Sequence, residues 1–149
     1  MNFKPNIYDN FMSIFEKNGL SFYRKKLLKH AKGHVLEIGP GTGANLKYYN
    51  YETISKITFL EPEFNQRLKS KITYENYNLI KGDVQKLPFE NNSFDTIVFT
   101  LIFCSVKDYK KGLLEIKRVL KKNGQILLIE HIEPNHQPLK GLFNFANPL

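Results

Sequence analysis

The fold of this chain is decided by Val35-Leu36-Glu37-Ile38-Gly39-Pro40-Gly41-Thr42-Gly43, a short apolar run that passes directly into a glycine-rich turn. The run predicts a buried strand, and the glycines allow positive φ and close approach of a ligand to the backbone. A helix predicted over 44–49 would then present its free N–H groups at the turn. A strand, a glycine turn and a helix in series are typical of doubly wound α/β proteins.

Strands and helices alternate along the rest of the chain. Strands are predicted over 34–38, 56–60, 78–81, 94–101 and 125–132, and helices over 6–17, 22–31, 44–49, 62–71 and 109–120. This alternation predicts one α/β domain with a doubly wound, mainly parallel Rossmann-like sheet, strand order 3-2-1-4-5 and helices on both faces.

Two of these helices have apolar residues at helical spacing, which predicts that those residues pack on the sheet. The helix over 22–31, with Ser21 as its N-cap, is expected to bury Phe22, Tyr23, Leu27 and Leu28. The helix over 109–120 is expected to bury Leu113, Leu114, Ile116, Val119 and Leu120.

Composition limits the class of protein. The chain has 149 residues, of which 42% are hydrophobic, as in an ordinary globular domain. The single cysteine, Cys104, excludes an internal disulfide and favours a cytoplasmic location. Neither a membrane-length apolar run nor a signal-peptide pattern is present, and no Cys/His spacing predicts a metal site.

The net charge of +8 is concentrated in short basic clusters at 24–29, 107–111 and 117–122. Such clusters are most often solvated helix faces. A weak attraction to anionic lipid surfaces or nucleic acid stays open.

The glycine turn fits two kinds of adenosine-bearing cofactor. It is a G-x-G-x-G turn, and with Ala44 it also satisfies the dinucleotide pattern G-x-G-x-x-A. Glu61 lies about 20 residues beyond the first glycine, where an acid can accept both ribose hydroxyl protons. Up to this point the residues predict only an adenosine-type ligand.

Glu37 and Asp83 favour one of the two cofactors. A carboxylate inside the turn would repel a pyrophosphate, but it would not repel a cofactor that carries an ammonium and a sulfonium. Asp83, after the third predicted strand, is well placed to accept a hydrogen bond from an adenine amino group.

The sequence resembles the class I S-adenosylmethionine-dependent methyltransferases in five blocks that follow in order, at 35–43, 59–62, 82–89, 93–98 and 118–124. Within that class it is similar to the type 11 group of small-molecule methyltransferases. Leu101-Ile102-Phe103-Cys104-Ser105-Val106-Lys107-Asp108 and Glu130-His131 resemble the thiol methyltransferase-like branch.

The resemblance implies S-adenosylmethionine as the cofactor and a role for each matching residue. The methionine part would lie over Gly39, Pro40, Gly41 and Gly43, with Glu37 orienting it. The ribose would be held by Glu61 beside Pro62, and the adenine by Asp83 and Val84. Main-chain groups of Thr100 and Leu101 would meet the amino acid portion.

The implied reaction is in-line methyl transfer to nitrogen, oxygen or sulfur of a small molecule. No residue is identified as the base. Tyr8, on a predicted N-terminal lid, Cys104 and His131 are candidates. Their ordinary alternatives are a boundary aromatic, a buried inert thiol and a structural histidine; Glu130 would orient loops by hydrogen bonding.

The chain divides into a helical lid over 1–33, a core over 34–132 and an extension over 133–149. Class I methyltransferases usually continue past strand five with a helix and an antiparallel hairpin, which 133–149 cannot supply. Either the chain is a truncated form or a partner covers the bare edge of strand five, and we expect a second copy of the chain at that edge.

Two other functions stay open: a module that binds the cofactor without turnover, and a nucleotide-dependent oxidoreductase domain. Methylation of nucleic acid is disfavoured because Thr100-Leu101-Ile102-Phe103 replaces the Pro-Pro-aromatic turn that clasps a flipped base.

Overall fold

Parallel strands form one sheet in the computed structural model, which describes residues 19–130. The strands are β1 (Gly33–Ile38), β2 (Ile54–Glu61), β3 (Tyr77–Lys81), β4 (Phe94–Thr100) and β5 (Leu120–Ile129). Their order is β3-β2-β1-β4-β5, and all neighbouring pairs are parallel. The predicted fold class and strand order are confirmed.

The helices are shorter than predicted. They are α1 (Ser21–Leu28), α2 (Gln66–Lys71) and α3 (Tyr109–Val119), with 3-10 turns at Leu46–Tyr48 and Phe103–Ser105. Ser21 is the first residue of α1 and not its cap. The α2 helix begins after Asn65, whose side chain accepts a hydrogen bond from Arg67 N at 2.8 Å, and not at Pro62.

The prediction of a helix over 44–49 is wrong. A series of turns leads into the 3-10 turn at Leu46–Tyr48 instead. Asn45 and Tyr49, on either side of that turn, direct their polar atoms to Glu37 on β1. Such a short segment has little helix stability of its own, so these side-chain hydrogen bonds determine the conformation of its backbone instead.

Apolar side chains cover both faces of the sheet because successive residues of a strand point to opposite sides. Val35 belongs to the core on the side of α1 and α2, with Leu28 and Leu68. Leu36 belongs to the core on the side of α3, with Ile116. Glu37, next along β1, therefore faces the α1 side.

Three predicted core residues lie on the surface instead. Phe22 and Tyr23 are 64% and 62% exposed, and Leu114 is 66% exposed. Arg24, predicted as part of a solvated basic cluster, is only 2% exposed. It shares one stripe of α1 with Leu28, at the helical spacing that decides which residues face the sheet.

The β5 strand starts at Leu120 and not after the predicted turn at Gly124. Leu120 pairs with Phe94 and Gln125 with Thr96, so the residues between Leu120 and Gln125 stand opposite the single residue Asp95. Within residues 19–130, β5 is one edge of the sheet. The expected second copy at this edge therefore stays a prediction, as does the structure expected for 133–149.

The described part of the chain holds neither a membrane-spanning helix nor a metal cluster. Its helices include none with the length and apolar character to cross a membrane. Between residues 19 and 130, no cluster of His, Cys, Asp or Glu side chains has the arrangement of a metal site.

Candidate active site

A cleft of about 580 Å³ opens at the carboxyl ends of the strands, where the strand order reverses between β1 and β4. Ligands of doubly wound proteins bind at this reversal. Residues from four strand ends form the walls: Ile38, Gly39, Gly41, Leu60, Glu61, Pro62, Gly82, Asp83, Val84, Gln85, Thr100, Leu101, Ile102, Ser105, Val106 and Lys107.

The glycine turn forms one side of the cleft. Gly39, Gly41 and Gly43 have φ of 70°, 56° and 83°, which L side chains rarely adopt. A Cβ on Gly41 would meet no atom within 4 Å, so the turn leaves open space for a ligand. Pro40 and Gly43 are buried and do not line the cleft.

Glu61 joins the end of β2 to the glycine turn. Its Oε1 atom accepts a hydrogen bond from Gly41 N at 2.8 Å. Burial raises the pKa of Glu61, and this hydrogen bond partly offsets the rise. The second carboxylate oxygen of Glu61 remains as a hydrogen-bond acceptor beside Pro62, as the predicted ribose contact requires.

Asp83 lines the cleft two residues after the end of β3. Its Oδ1 atom accepts a hydrogen bond from Gln85 N at 2.8 Å, and Gln85 Nε2 donates to Oδ2 at 3.0 Å. Gln85 also accepts from Asp108 N at 3.0 Å, which ties this wall to the start of α3. Gln85 was not among the predicted site residues, although it lies within the block at 82–89 that resembles the methyltransferase family.

Glu37 is buried beneath the glycine turn and does not line the cleft. Its carboxylate accepts hydrogen bonds from Asn45 Nδ2 at 2.8 Å and from the Tyr49 hydroxyl at 2.7 Å. Burial raises the pKa of Glu37 to about 7, although both hydrogen bonds and the nearby Arg24 lower it. Its predicted role in orienting the cofactor stays a prediction.

Arg24 connects α1 to this buried group. Its Nη1 atom donates hydrogen bonds to Asn45 Oδ1 and, at 3.1 Å, to Thr100 Oγ1. Because Thr100 lines the cleft, a buried polar chain runs from α1 to the cleft wall. Arg24 was missed because it lies in a lysine-rich cluster; its spacing from Leu28 was the available signal.

Of the three candidate catalytic residues, Cys104 alone lies within the described part of the chain. Cys104 is exposed, so the expectation of a buried thiol is wrong. Its Sγ atom lies 3.6 Å from Leu101 O, and Cys104 is not among the residues that line the cleft. Tyr8 and His131 lie outside the described residues, and their roles stay predictions.

The cleft suits S-adenosylmethionine by the chemistry of its lining. The glycine turn leaves room for the methionine part, Glu61 offers a carboxylate for the ribose, and Asp83 offers one for the adenine amino group. The sheet and this cleft define a class I S-adenosylmethionine-dependent methyltransferase. Residues 36–128 match the family model described as a methyltransferase domain, of type 11, and the chain belongs to this family.

Curated relatives support the same class. The chain is 33% identical to the mitochondrial methyltransferase OMS1 of Saccharomyces cerevisiae, over 98% of this chain and 34% of that protein. It is 34% identical to the thiol S-methyltransferase TMT1B of Mus musculus, over 74% of this chain and 48% of that protein. It thus spans about a third to a half of the length of these relatives.

Solved structures share the fold. The YcgJ protein of Bacillus subtilis matches with a TM-score of 0.67 and 25% identity, over 87% of this chain and 57% of that chain. A SAM-dependent methyltransferase of Aquifex aeolicus matches with a TM-score of 0.68 and 20% identity, over 97% and 86%. The second likeness concerns the fold alone.

Proposed function

We propose that the protein transfers the methyl group of S-adenosylmethionine to a small-molecule acceptor, and that this acceptor is a thiol. One observation carries the choice of a thiol. The ionisable residues among the described lining of the cleft are Glu61, Asp83 and Lys107, and the two acids have predicted cofactor contacts. Of these three, only Lys107 has no predicted cofactor contact, and its ammonium carries hydrogen-bond donors and no acceptor, so the described lining supplies no base for the acceptor.

Where no base in the protein assists, the acceptor must lose its proton to water. A thiol with a pKa of about 8.5 is a few per cent thiolate at neutral pH, whereas a phenol with a pKa of about 10 is roughly 30-fold less ionised. A thiol therefore needs least help from the protein. The similarity to a relative named as a thiol S-methyltransferase supports the same choice.

The bound cofactor supplies a methyl group that its positive sulfur already activates. The protein would hold both reactants in line and exclude water. The acceptor thiol first gives its proton to water. Its sulfur lone pair then forms the new S–C bond while the sulfonium C–S bond breaks, which leaves a methyl thioether and the demethylated cofactor.

Labelled cofactor and a panel of thiols, phenols and amines test this proposal. Label is expected in thioether products, at a rate that rises with pH as each thiol ionises. Methylation of phenols or amines with no thiol product would contradict the choice of acceptor. Cofactor binding by calorimetry without any methylated product would instead favour the binding module, while preferential binding of NAD would favour an oxidoreductase.

The exposed face of α1 supports a further part of the proposal, a peripheral contact with anionic lipid. Phe22 and Tyr23 form an edge-to-face pair with ring centroids 5.7 Å apart. Lys25 and Lys26 are exposed on the same helix, and Lys29, directly after its end, is exposed as well. Aromatic rings with lysines beside them suit the headgroup region of an anionic bilayer, where each lysine contributes about 1 kcal/mol.

The start of α1 lies nearer to the carboxyl edge of the sheet, where the cleft opens, than its end does. Arg24, near its start, reaches Thr100 at the carboxyl edge of the sheet. His30, beyond its end, accepts a hydrogen bond through its carbonyl from Gln125 Nε2 at 2.6 Å, near the opposite edge. The ring pair therefore lies at the end of α1 nearer to the cleft, where an acceptor dissolved in lipid would arrive.

Sedimentation with vesicles tests the lipid contact. The double variant Lys25→Gln/Lys26→Gln should bind vesicles of phosphatidylcholine and phosphatidylglycerol about 30-fold more weakly, from about 2 kcal/mol of lost attraction. The matched variant Lys110→Gln/Lys117→Gln, on α3, should bind as the parent does. Phe22→Ser should likewise weaken binding more than Leu114→Ser. Equal losses in the α1 and α3 variants would contradict a specific lipid-facing surface.

A further inference from the structure

The chain leaves β4 through an unusual turn. Leu101 has a φ of 56°, which is rare for a residue with a branched side chain. Its backbone N–H donates to Ile129 O at 2.8 Å, so the turn starts from the end of the β4–β5 ladder. Such conformations persist where the surrounding structure holds them, and they concentrate at ligand sites.

Glu130, directly after β5, stabilises this turn by hydrogen bonding. Its Oε1 atom accepts hydrogen bonds from Ile102 N at 2.9 Å and from Phe103 N at 3.4 Å. One carboxylate oxygen therefore meets the two backbone N–H groups that follow Leu101. Hydrogen bonds to a charged acceptor are stronger than those between neutral groups, so this contact fixes the turn where β4 ends.

The held turn forms part of the cofactor cleft. Leu101 and Ile102 both line the cleft. The Ile102 side chain also packs against Gly39: its Cγ2 atom lies 2.5 Å from the position that a Cβ on Gly39 would occupy. A displaced Ile102 would therefore change both the wall of the cleft and the support of the glycine turn.

We infer that Glu130 is a positioning residue for S-adenosylmethionine binding, which acts through the backbone of Ile102 and Phe103. It needs no contact with the cofactor and no part in proton transfer. The inference rests on cofactor binding and is independent of the acceptor, so its test is separate from that of thiol methylation.

The test compares Glu130→Ala with Glu130→Gln, which keeps an acceptor oxygen, and with Glu90→Ala, an exposed control. Calorimetry with S-adenosylmethionine should show affinity about tenfold weaker for Glu130→Ala. Glu130→Gln should stay within about threefold of the parent, and Glu90→Ala should be unchanged. Rescue by the amide would show that the accepted hydrogen bonds matter more than the negative charge.

Hydrogen exchange separates positioning from a general loss of structure. In Glu130→Ala, the amides of Ile102 and Phe103 should exchange faster while amides in the middle of β1 and β4 keep their protection. Unchanged affinity in Glu130→Ala would overturn the inference, and so would faster exchange spread evenly over the sheet. If Glu130→Ala does not fold, Glu130→Asp, shorter by one methylene, takes its place with the same expected results.

Discussion

The hydroxyl of Tyr49 donates a hydrogen bond to the carboxylate of Glu37 at 2.7 Å, in the core beneath the glycine turn. Both side chains are buried, and Asn45 donates to the other carboxylate oxygen. The sequence predicts Glu37 beside the cofactor, whereas the structure places its side chain in the protein interior. Its buried position has consequences for stability and for cofactor binding.

The first prediction concerns stability and pH. The pKa of Glu37 is raised to about 7 by burial, above its ordinary value of 4.5, so ionisation costs more in the folded protein than in the unfolded chain. The stability that this group contributes is complete below about pH 4.5 and is lost as the pH rises through 7. Between pH 5 and pH 8.5 the loss should amount to about 2 kcal/mol.

Glu37→Gln, which does not titrate, is the control for this loss. Chemical denaturation should show that the parent becomes less stable relative to Glu37→Gln as the pH rises over that interval. Parallel profiles for the two proteins would mean that Glu37 does not titrate there.

A second prediction tests whether Glu37, from its buried position, orients the amino acid end of the cofactor. An ammonium nearby would favour the ionised carboxylate, so binding at pH 6.5 should release a proton. Calorimetry in buffers with different ionisation enthalpies should detect it in the parent and not in Glu37→Gln. A binding enthalpy independent of buffer in both proteins would remove Glu37 from the cofactor's surroundings.

The third prediction concerns Glu61. Ribose hydroxyls would donate to its carboxylate, and hydrogen bonds to a charged acceptor contribute about 1.5–3 kcal/mol. Glu61→Gln should therefore weaken cofactor affinity about 10- to 100-fold. Glu63→Gln, the neighbouring exposed acid, should bind as the parent does. Equal affinity in all three proteins would show that the ribose lies elsewhere.

The fourth prediction separates two glycines of the same turn. A Cβ on Gly39 would approach Ile102 Cγ2 to 2.5 Å, whereas one on Gly41 would meet nothing. Both positions have positive φ, so each alanine costs about 1–2 kcal/mol of backbone strain. Gly39→Ala should lower the free energy of unfolding by about 1–3 kcal/mol more than Gly41→Ala does, because its Cβ overpacks against Ile102. Denaturation midpoints measure the difference; equal losses would show that Ile102 moves aside freely.

The sequence predicts the sheet well because its signals are local. The central strands β1, β2 and β4 contain apolar runs, and the glycine turn after β1 marks the point where the strand order reverses. The acids Glu61 and Asp83 were predicted for the same reason: Glu61 ends β2 and Asp83 lies two residues past β3, so the place of each at the carboxyl edge is known once its strand is known.

Features that depend on distant side chains were missed. Arg24 is buried because Asn45 and Thr100 accept its hydrogen bonds, and neither partner can be identified from the basic cluster around it. The helix expected over 44–49 is displaced by contacts with Glu37. Phe22 and Leu114 have apolar side chains yet lie outside the stripe that faces the sheet. Tertiary contacts decide each case, and local patterns do not contain them.

The cleft is assembled from the ends of separate strands, with Gly39, Glu61, Asp83 and Thr100 each on a different one. Within residues 19–130 no short continuous segment contains all four, so the ligand recognises only the assembled sheet. Cofactor binding is then a direct measure of the concentration of correctly folded protein. At 100 times its dissociation constant, S-adenosylmethionine should raise the free energy of unfolding of the whole domain by about 2.7 kcal/mol.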